Sequence, residues 1–290
     1  MVINVRTLNI TNSKKIDIVI KNIIPNEIEQ FIINKINKKP PLSYGQITDV
    51  ELEIIKNKVF DTFKIKISKY IIVSIKSGYM KNFIIKNFSN LKKNSKSILN
   101  EYKTDGILQI SEKYNISPMT ILRYVFNSIY HKKLKELINS NILSSRDKAQ
   151  LILSEKNDIY VSLDQEDQSK YSIDFEKKIE DFLIKNKVDY KTQKQLTQEQ
   201  IIKYGKAINT PDFLITSELI INSKKINWID AKNFYGSNID FIITKTKKQI
   251  KKYINSHGPG CLIFNHGFNS KLNYNNVLIL DYDSLLTTIK

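Results

Sequence analysis

Apolar positions recur along this chain with two different periods, and the change of period divides it near residue 158. The first half reads as helices with polar connectors. A helix is predicted over Glu27–Ile36, and Pro40-Pro41 with Ser43-Tyr44-Gly45 break the chain after it. Over residues 47–88 helical and strand periods compete. The stretch Gly106–Tyr130 is clearer. Ile107, Leu108 and Ile110 open one helix, Lys113-Tyr114-Asn115-Ile116 makes a turn, and Ser117-Pro118 starts the next. Serine at the cap accepts from free N–H groups, and proline at the first helical position loses no hydrogen bond. Ile121, Leu122, Val125 and Ile129 then form a stripe at helical spacing.

After Asp158 an acidic loop, Asp164-Gln165-Glu166-Asp167-Gln168, precedes a helix expected from about Ser172 to Asn186. Strand-like runs follow at Val188–Gln193, Asp212–Ile221, Ile226–Asn233, Gly260–Phe264 and Val277–Leu280. A helix from about Ile239 to Asn255 separates the third run from the fourth. The expected order is α-β-β-β-α-β-β, an α/β sheet domain. The chain is therefore expected to hold two domains, a helical region over 1–158 and a sheet domain over 159–290.

Charge sharpens this division. The chain of 290 residues carries a formal net charge of +17. Residues 1–150 hold 26 Lys+Arg against 12 Asp+Glu, whereas residues 151–290 hold 20 against 17. The abundance of Ile, Lys and Asn is what an AT-rich genome produces, but codon bias gives no reason for acids to vanish from one half. None occurs between Thr62 and Asn100, where Lys92, Lys93 and Lys96 and six other lysines lie. Such a surface attracts polyanions, so nucleic acid is the expected partner. DNA is favoured, and RNA satisfies the same charge argument. No amphipathic stretch pairs this charge with an exposed aromatic face, which argues against a membrane. Helices joined as over 107–130 resemble a helix-turn-helix, with Thr120, Arg123 and Asn127 on the outer face for phosphates or base edges. A plain helical hairpin fits that segment equally well. A single cysteine, Cys261, and the absence of a signal-like start at Met1-Val2-Ile3-Asn4-Val5-Arg6 predict an intracellular protein, in nucleus or cytoplasm.

The candidate chemistry lies in the second half. In Trp228-Ile229-Asp230-Ala231-Lys232, strand alternation points Asp230 and Lys232 to one face. An exposed salt bridge is the ordinary explanation of Asp-x-Lys in a strand. Thr210-Pro211-Asp212 changes the weighing, because Asp212 stands 18 residues upstream at the head of an expected antiparallel neighbour. Two adjacent carboxylates repel, and a divalent cation relieves that repulsion. On the preceding helix Phe175, Ile179, Phe182 and Leu183 share one face. Glu176 lies about 20° beyond that stripe and Glu180 about 60°, so Glu176 reaches the helix–sheet junction more readily. A solvated surface glutamate fits the same geometry. Asp212, Asp230 and Glu176 as ligands of Mg²⁺ (or Mn²⁺), with Lys232 as the catalytic cation, would suit hydrolysis of a phosphodiester. His257 and His266 flank Cys261 at a spacing that suits no ordinary zinc site, and Gly258-Pro259-Gly260 is expected to be a turn.

Several blocks in order resemble one family. Thr210-Pro211-Asp212-Phe213, Trp228-Ile229-Asp230-Ala231-Lys232 with Phe234 and Gly236, Gln249, Gly258-Pro259-Gly260 and Gly267-Phe268 are similar to the codanin-interacting nuclease family, known also for its Thr-Pro-Asp motif. That group lies within the PD-(D/E)xK nucleases of Holliday-junction-resolvase type. The resemblance covers about residues 172 to 270 and extends more weakly over 106–130. It implies an αβββαβ core, helix-turn-helix modules ahead of it, metal ligation by Asp212 and Asp230, a catalytic Lys232, a helix acid at Glu176, and Gln249 facing the active site. In animals it also implies association with codanin. The chain departs from the family's usual text in carrying Asp at 230 rather than Glu, and in a polar stretch between Ser237 and Thr246. The expected function is a metal-dependent DNA endonuclease, with branched or otherwise structured DNA as one candidate substrate and the preferred structure left open. The competing readings are a catalytically silent DNA-binding scaffold that keeps the fold, and a helix-turn-helix regulator.

Overall fold

The computed structural model describes residues 13–36, 42–160, 166–286 and 288–289. They divide into two compact units. Glu27–Asp167 with Ile239–Phe241 form one; Met1–Asn26, Gln168–Asn238 and Ile242–Lys290 form the other. Together they make a mixed α/β protein.

The first elements are β1 (Lys14–Ile18) and β2 (Ile23–Ile24). The helical unit follows with α1 (Asn26–Lys35), α2 (Asp49–Phe63), α3 (Lys69–Lys86), α4 (Phe88–Lys93), α5 (Ser95–Glu101), α6 (Ile107–Tyr114), α7 (Pro118–Tyr130), α8 (Leu134–Ile138) and α9 (Ser145–Asn157). Residues 49–63 and 69–86 are thus helical, with a break over 64–68. Thr48 starts α2 by accepting the Glu51 N–H at 3.2 Å, while the Glu51 carboxylate accepts the Thr48 N–H at 2.8 Å. In α3 the period is blurred because Ile71, Ile72 and Ile75 are buried while Tyr70, Val73 and Ile85 are exposed. The turn between α6 and α7 places Asn115 at φ 54°, and the Ser117 hydroxyl accepts the Thr120 N–H at 3.2 Å. Ile121, Leu122 and Val125 are buried as expected, but Ile129 is half-exposed, since Phe126 takes the last buried position. Pro40 and Pro41, and Asp164 and Gln165 of the expected acidic loop, lie outside the described residues.

The other unit continues with α10 (Glu166–Lys185), β3 (Tyr190–Thr192), α11 (Gln193–Tyr204), β4 (Phe213–Ile215), β5 (Leu219–Ile221), β6 (Lys224–Lys225), β7 (Trp228–Lys232), α12 (Asp240–His257), β8 (Gly260–Phe264), β9 (Phe268–Asn269), β10 (Val277–Asp281), α13 (Tyr282–Leu285) and β11 (Thr288–Ile289). Its main sheet runs β10-β8-β7-β4-β3. β10, β8 and β7 are parallel; β4 is antiparallel to both β7 and β3. Alternation along the strands splits the core in two. Ile229, Cys261 and Ile263 pack with Phe175, Ile179, Phe182 and Leu183 of α10. Trp228, Leu262 and Phe264 pack with Ile250 and Tyr253 of α12. Helices therefore cover opposite faces of the sheet.

Four expectations need correction. Helix α11 lies between the first two predicted strands, and its apolar stripe was too thin to read: Leu196 is buried while Ile201 and Ile202 are exposed. The predicted strand Asp212–Ile221 is two strands in different sheets, broken where Thr216 N–H donates to Asp189 O at 2.9 Å and Ser217 Oγ accepts Asp189 N–H at 3.1 Å. Glu166, Asp167 and Gln168 belong to α10 rather than to a loop, no Gly or Pro standing in the way. Finally, a boundary at residue 158 assigns the first strands to the helical half. Instead β1 pairs in parallel with β5, Lys14 opposite Leu219, in the sheet β11-β1-β5-β6, and β2 pairs with β9. Such pairing depends on partners about 200 residues away, which local periodicity does not register.

Among the described residues, no helix is long and apolar enough to cross a membrane.

Candidate active site

The site grows out of the place where β4 and β7 part. Their pairing joins Leu214 to Trp228 and Phe213 to Ile229. One step further, Asp212 sits beside the end of β7, and its Oδ2 accepts the Ala231 N–H at 2.7 Å. A side-chain carboxylate thus occupies the position that a ladder carbonyl would take. By alternation Asp212 shares the face of Leu214, and Asp230 that of Trp228, so both carboxylates lie on the side covered by α12.

Asp230 is 2% exposed and would be costly there without partners. It has several. The Lys232 ammonium forms an ion pair with its Oδ2. Its Oδ1 accepts from Gln249 Nε2 at 3.1 Å and from the Tyr253 hydroxyl at 3.2 Å. Gln249 ties the group together: its Oε1 accepts from Lys232 Nζ at 2.8 Å, and its Nε2 reaches Tyr253 Oη at 2.9 Å. Gln249 and Tyr253 are one helical turn apart on α12, which is why one helix face can serve a whole carboxylate.

Electrostatics bind the remaining acid to this group. Burial first, then the negative charges of Asp230 and Glu176, push the Asp212 carboxyl up to about 8, against the opposing Ala231 N–H and Lys232. Glu176, half-buried on α10, is raised by burial and by Asp230. Glu180 is engaged elsewhere, accepting from the Tyr190 hydroxyl at 2.8 Å. Burial also raises Tyr253, followed by the charge of Asp230, so its hydroxyl stays protonated. Asp230, Lys232 and Gln249 are therefore gathered by contact, Asp212 by its bond to the Ala231 N–H, and Glu176 by charge. Among the described residues no three His, Cys, Asp or Glu side chains form a ready-made metal cage. The donor chemistry nonetheless suits Mg²⁺, which is commonly held by one or two carboxylates plus water and substrate phosphate rather than by an all-protein cage. Asp212 Oδ1 makes no hydrogen bond among the described residues.

Sequence reasoning missed Tyr253, and its signal was the spacing of four from Gln249. Gly258-Pro259-Gly260 is a turn that holds Trp228: the indole Nε1 donates to Gly258 O at 2.8 Å, and a Cβ at Gly260 would lie 2.1 Å from the ring. Cys261 is wholly buried, and burial raises its thiol. His257 and His266 are both lowered by burial.

The proposed nucleic-acid contacts all belong to the helical unit. Thr120 is half-buried and its hydroxyl donates to Ser117 Oγ at 3.0 Å, so it serves the cap of α7. Arg123 is half-buried on α7 and Asn127 is exposed. Lys92, Lys93 and Lys96 are exposed on α4 and α5, with Lys92 Nζ 5.8 Å from the Phe88 ring centroid.

The Thr210-Pro211-Asp212 turn at the head of this site lies inside a wider likeness. Residues 143–283 match the family described as "Protein of unknown function TPD sequence-motif". The likeness is to a motif family without an assigned activity. A second comparison extends over both units: "Uncharacterized protein L539" of Acanthamoeba polyphaga mimivirus is 29% identical over 263 residues, 88% of this chain and 83% of the relative. No solved structure matches.

Proposed function

We propose that this chain is a metal-dependent nuclease that hydrolyses phosphodiester bonds, with a PD-(D/E)xK-type site in its α/β unit and DNA-binding surfaces in its helical unit. The observation that carries the reading is the convergence of Asp212 and Asp230 with Lys232 on one face, at the end of a β4–β7 pairing. A surface salt bridge does not require a half-buried second aspartate beside it, a glutamine bridging acid to lysine, or a nearby Glu176. These are expensive arrangements for stability alone.

Asp212 and Asp230 would hold Mg²⁺ or Mn²⁺, with Glu176, expected from the sequence as a third ligand, adding negative charge from α10. When bound, such an ion polarises the phosphate and lowers the pKa of a coordinated water. The protein's own groups supply the rest. Lys232 places a positive charge where negative charge accumulates on the phosphoryl oxygens. Gln249 fixes that ammonium through its Oε1, so little reorganisation is needed at the moment of reaction. Tyr253 and Gln249 hold Asp230 from α12, and the Ala231 N–H holds Asp212 from β7. The excess of lysine over residues 62–100 and the paired helices α6 and α7 support DNA as the polymer.

The decisive experiment is a cleavage panel of single-stranded, duplex, flap and four-way DNA with Mg²⁺ or Mn²⁺. Cutting should vanish with EDTA and in Asp230→Asn and Lys232→Ala, with DNA binding retained. Protein that binds these substrates and never cuts them would instead be a catalytically silent scaffold.

A further inference from the structure

Beside the carboxylates lies an open cleft of about 350 Å³ that the chemistry above does not use. Gln193, Asn209, Thr210, Gln249 and Tyr253 line it, together with Lys245, Lys248 and Lys252 of α12. Two of these, Gln249 and Tyr253, also hold Asp230, so the cleft opens directly from the site.

Its floor is built rather than incidental. Gln200 on α11 accepts the Ile208 and Asn209 N–H groups at 2.7 and 3.0 Å and donates back to Asn209 O at 2.8 Å. Asn209, 8% exposed, donates to Lys252 O at 2.9 Å, and the Tyr253 hydroxyl, whose proton serves Asp230, lies 3.4 Å from Thr210 O. The segment running into Asp212 is thereby clamped between α11 and α12. A rigid polar floor with a cationic wall is suited to a charged, hydrated ligand rather than an apolar one.

The lysines are spaced for a polymer. Lys245, Lys248 and Lys252 lie three and four residues apart, within a narrow arc of one helix face. Seven residues of helix span about 10 Å, and one strand of a B-form duplex offers a phosphate every ~3.4 Å along its axis. Lys247 and Lys251 of the same helix turn elsewhere, lining a separate cleft with Tyr274.

We infer that the cleft is a backbone track for the strand being cut, in which Lys245, Lys248 and Lys252 grip about three phosphates on one side of the scissile linkage. This rests on the reading that the scissile phosphate sits at Asp212, Asp230 and Lys232. It adds that the α/β unit itself grips nucleic acid, independently of the helical unit.

The test is fluorescence anisotropy of the full chain with a fluorescein-labelled single-stranded oligothymidylate in EDTA, over a range of NaCl. Lys245→Ala/Lys248→Ala/Lys252→Ala should weaken binding and reduce the slope of log K against log salt by about 2, since each single-strand phosphate contributes ~0.7. Lys247→Ala/Lys251→Ala should leave the slope as in the wild type. All five side chains are exposed, so folding is not at stake. An unchanged slope in the triple variant, or an equal loss per lysine in both sets, as a merely lysine-rich surface would give, overturns the track. Because metal is absent, the outcomes separate: lost slope in a protein that never cuts would keep the lysines' grip on nucleic acid and end the nuclease reading. Cutting with an unchanged slope would end the track alone.

Discussion

The Asp212 carboxylate and the Ala231 N–H are joined at 2.7 Å across the open end of the β4–β7 pairing. That bond fixes an acid by main chain alone, leaving the side chain of β7 at Asp230 free to serve α12. It also confines Asp212 beside Asp230, whose charge adds to burial in raising the cost of ionising Asp212.

Stability should therefore depend on pH in a particular direction. Asp212 is raised to about 8 from an ordinary 3.8, so between those values the folded state keeps a proton that the unfolded state has released. Stability is then highest below about pH 4 as far as this group is concerned, and is lost as pH climbs toward 8. In EDTA the Tm should fall over that window, and Asp212→Asn should flatten the fall. Mg²⁺ should restore Tm most near pH 8, where the ionised acid is available to it. A Tm in EDTA with the same pH dependence in wild type and Asp212→Asn would refute this.

Removing one member of the buried ion pair should cost more than removing both charges. Lys232→Met leaves Asp230, 2% exposed, without its cation, and should destabilise by about 3–5 kcal/mol in chemical denaturation. Asp230→Asn/Lys232→Met should recover much of that loss. Simple additivity of the two single changes would show that the pair is not coupled.

Gly260 carries a packing requirement. A methyl group there would stand 2.1 Å from the Trp228 ring, so Gly260→Ala should destabilise by about 2–3 kcal/mol. The chain has one tryptophan, so its fluorescence reports the displacement directly. An emission maximum and Tm like those of wild type would mean that the indole moves aside freely.

The helical unit offers a local check. The Ser117 hydroxyl accepts the Thr120 N–H and donates to the buried Asp158 carboxylate, which also accepts the Met119 N–H at 3.2 Å. Ser117→Ala should cost about 1–2 kcal/mol, and Asp158→Ala more, since two donors then lose their acceptor. Equal denaturation midpoints for wild type and Ser117→Ala would show that α7 starts without this cap.

What the sequence disclosed followed from how local each signal was. Asp230 and Lys232 share a face by strand alternation, and the antiparallel neighbour of Asp212 followed from two apolar runs at a hairpin-like spacing. The helix pair at 107–130 was legible because its cap, its proline and its turn are all written in adjacent residues. Tyr253 was not found, since a tyrosine on a helix reads as core until the carboxylate above it is known. The Ala231 N–H leaves no mark in a sequence at all. Helix α11 escaped because its packing is carried mainly by Leu196, and β1 because its partner is remote.

The pairing of Lys14–Ile16 with Leu219–Ile221 has a consequence for how this protein comes into being. A ribosome adding roughly 5–20 residues each second needs at least ~10 s to deliver the second strand after the first. Throughout that interval Ile16 and Ile18 emerge without their mates, while the intervening helices can already collapse around their own apolar centre. The nascent chain must therefore hold an unmated, edge-bearing segment in reserve until the second strand is delivered.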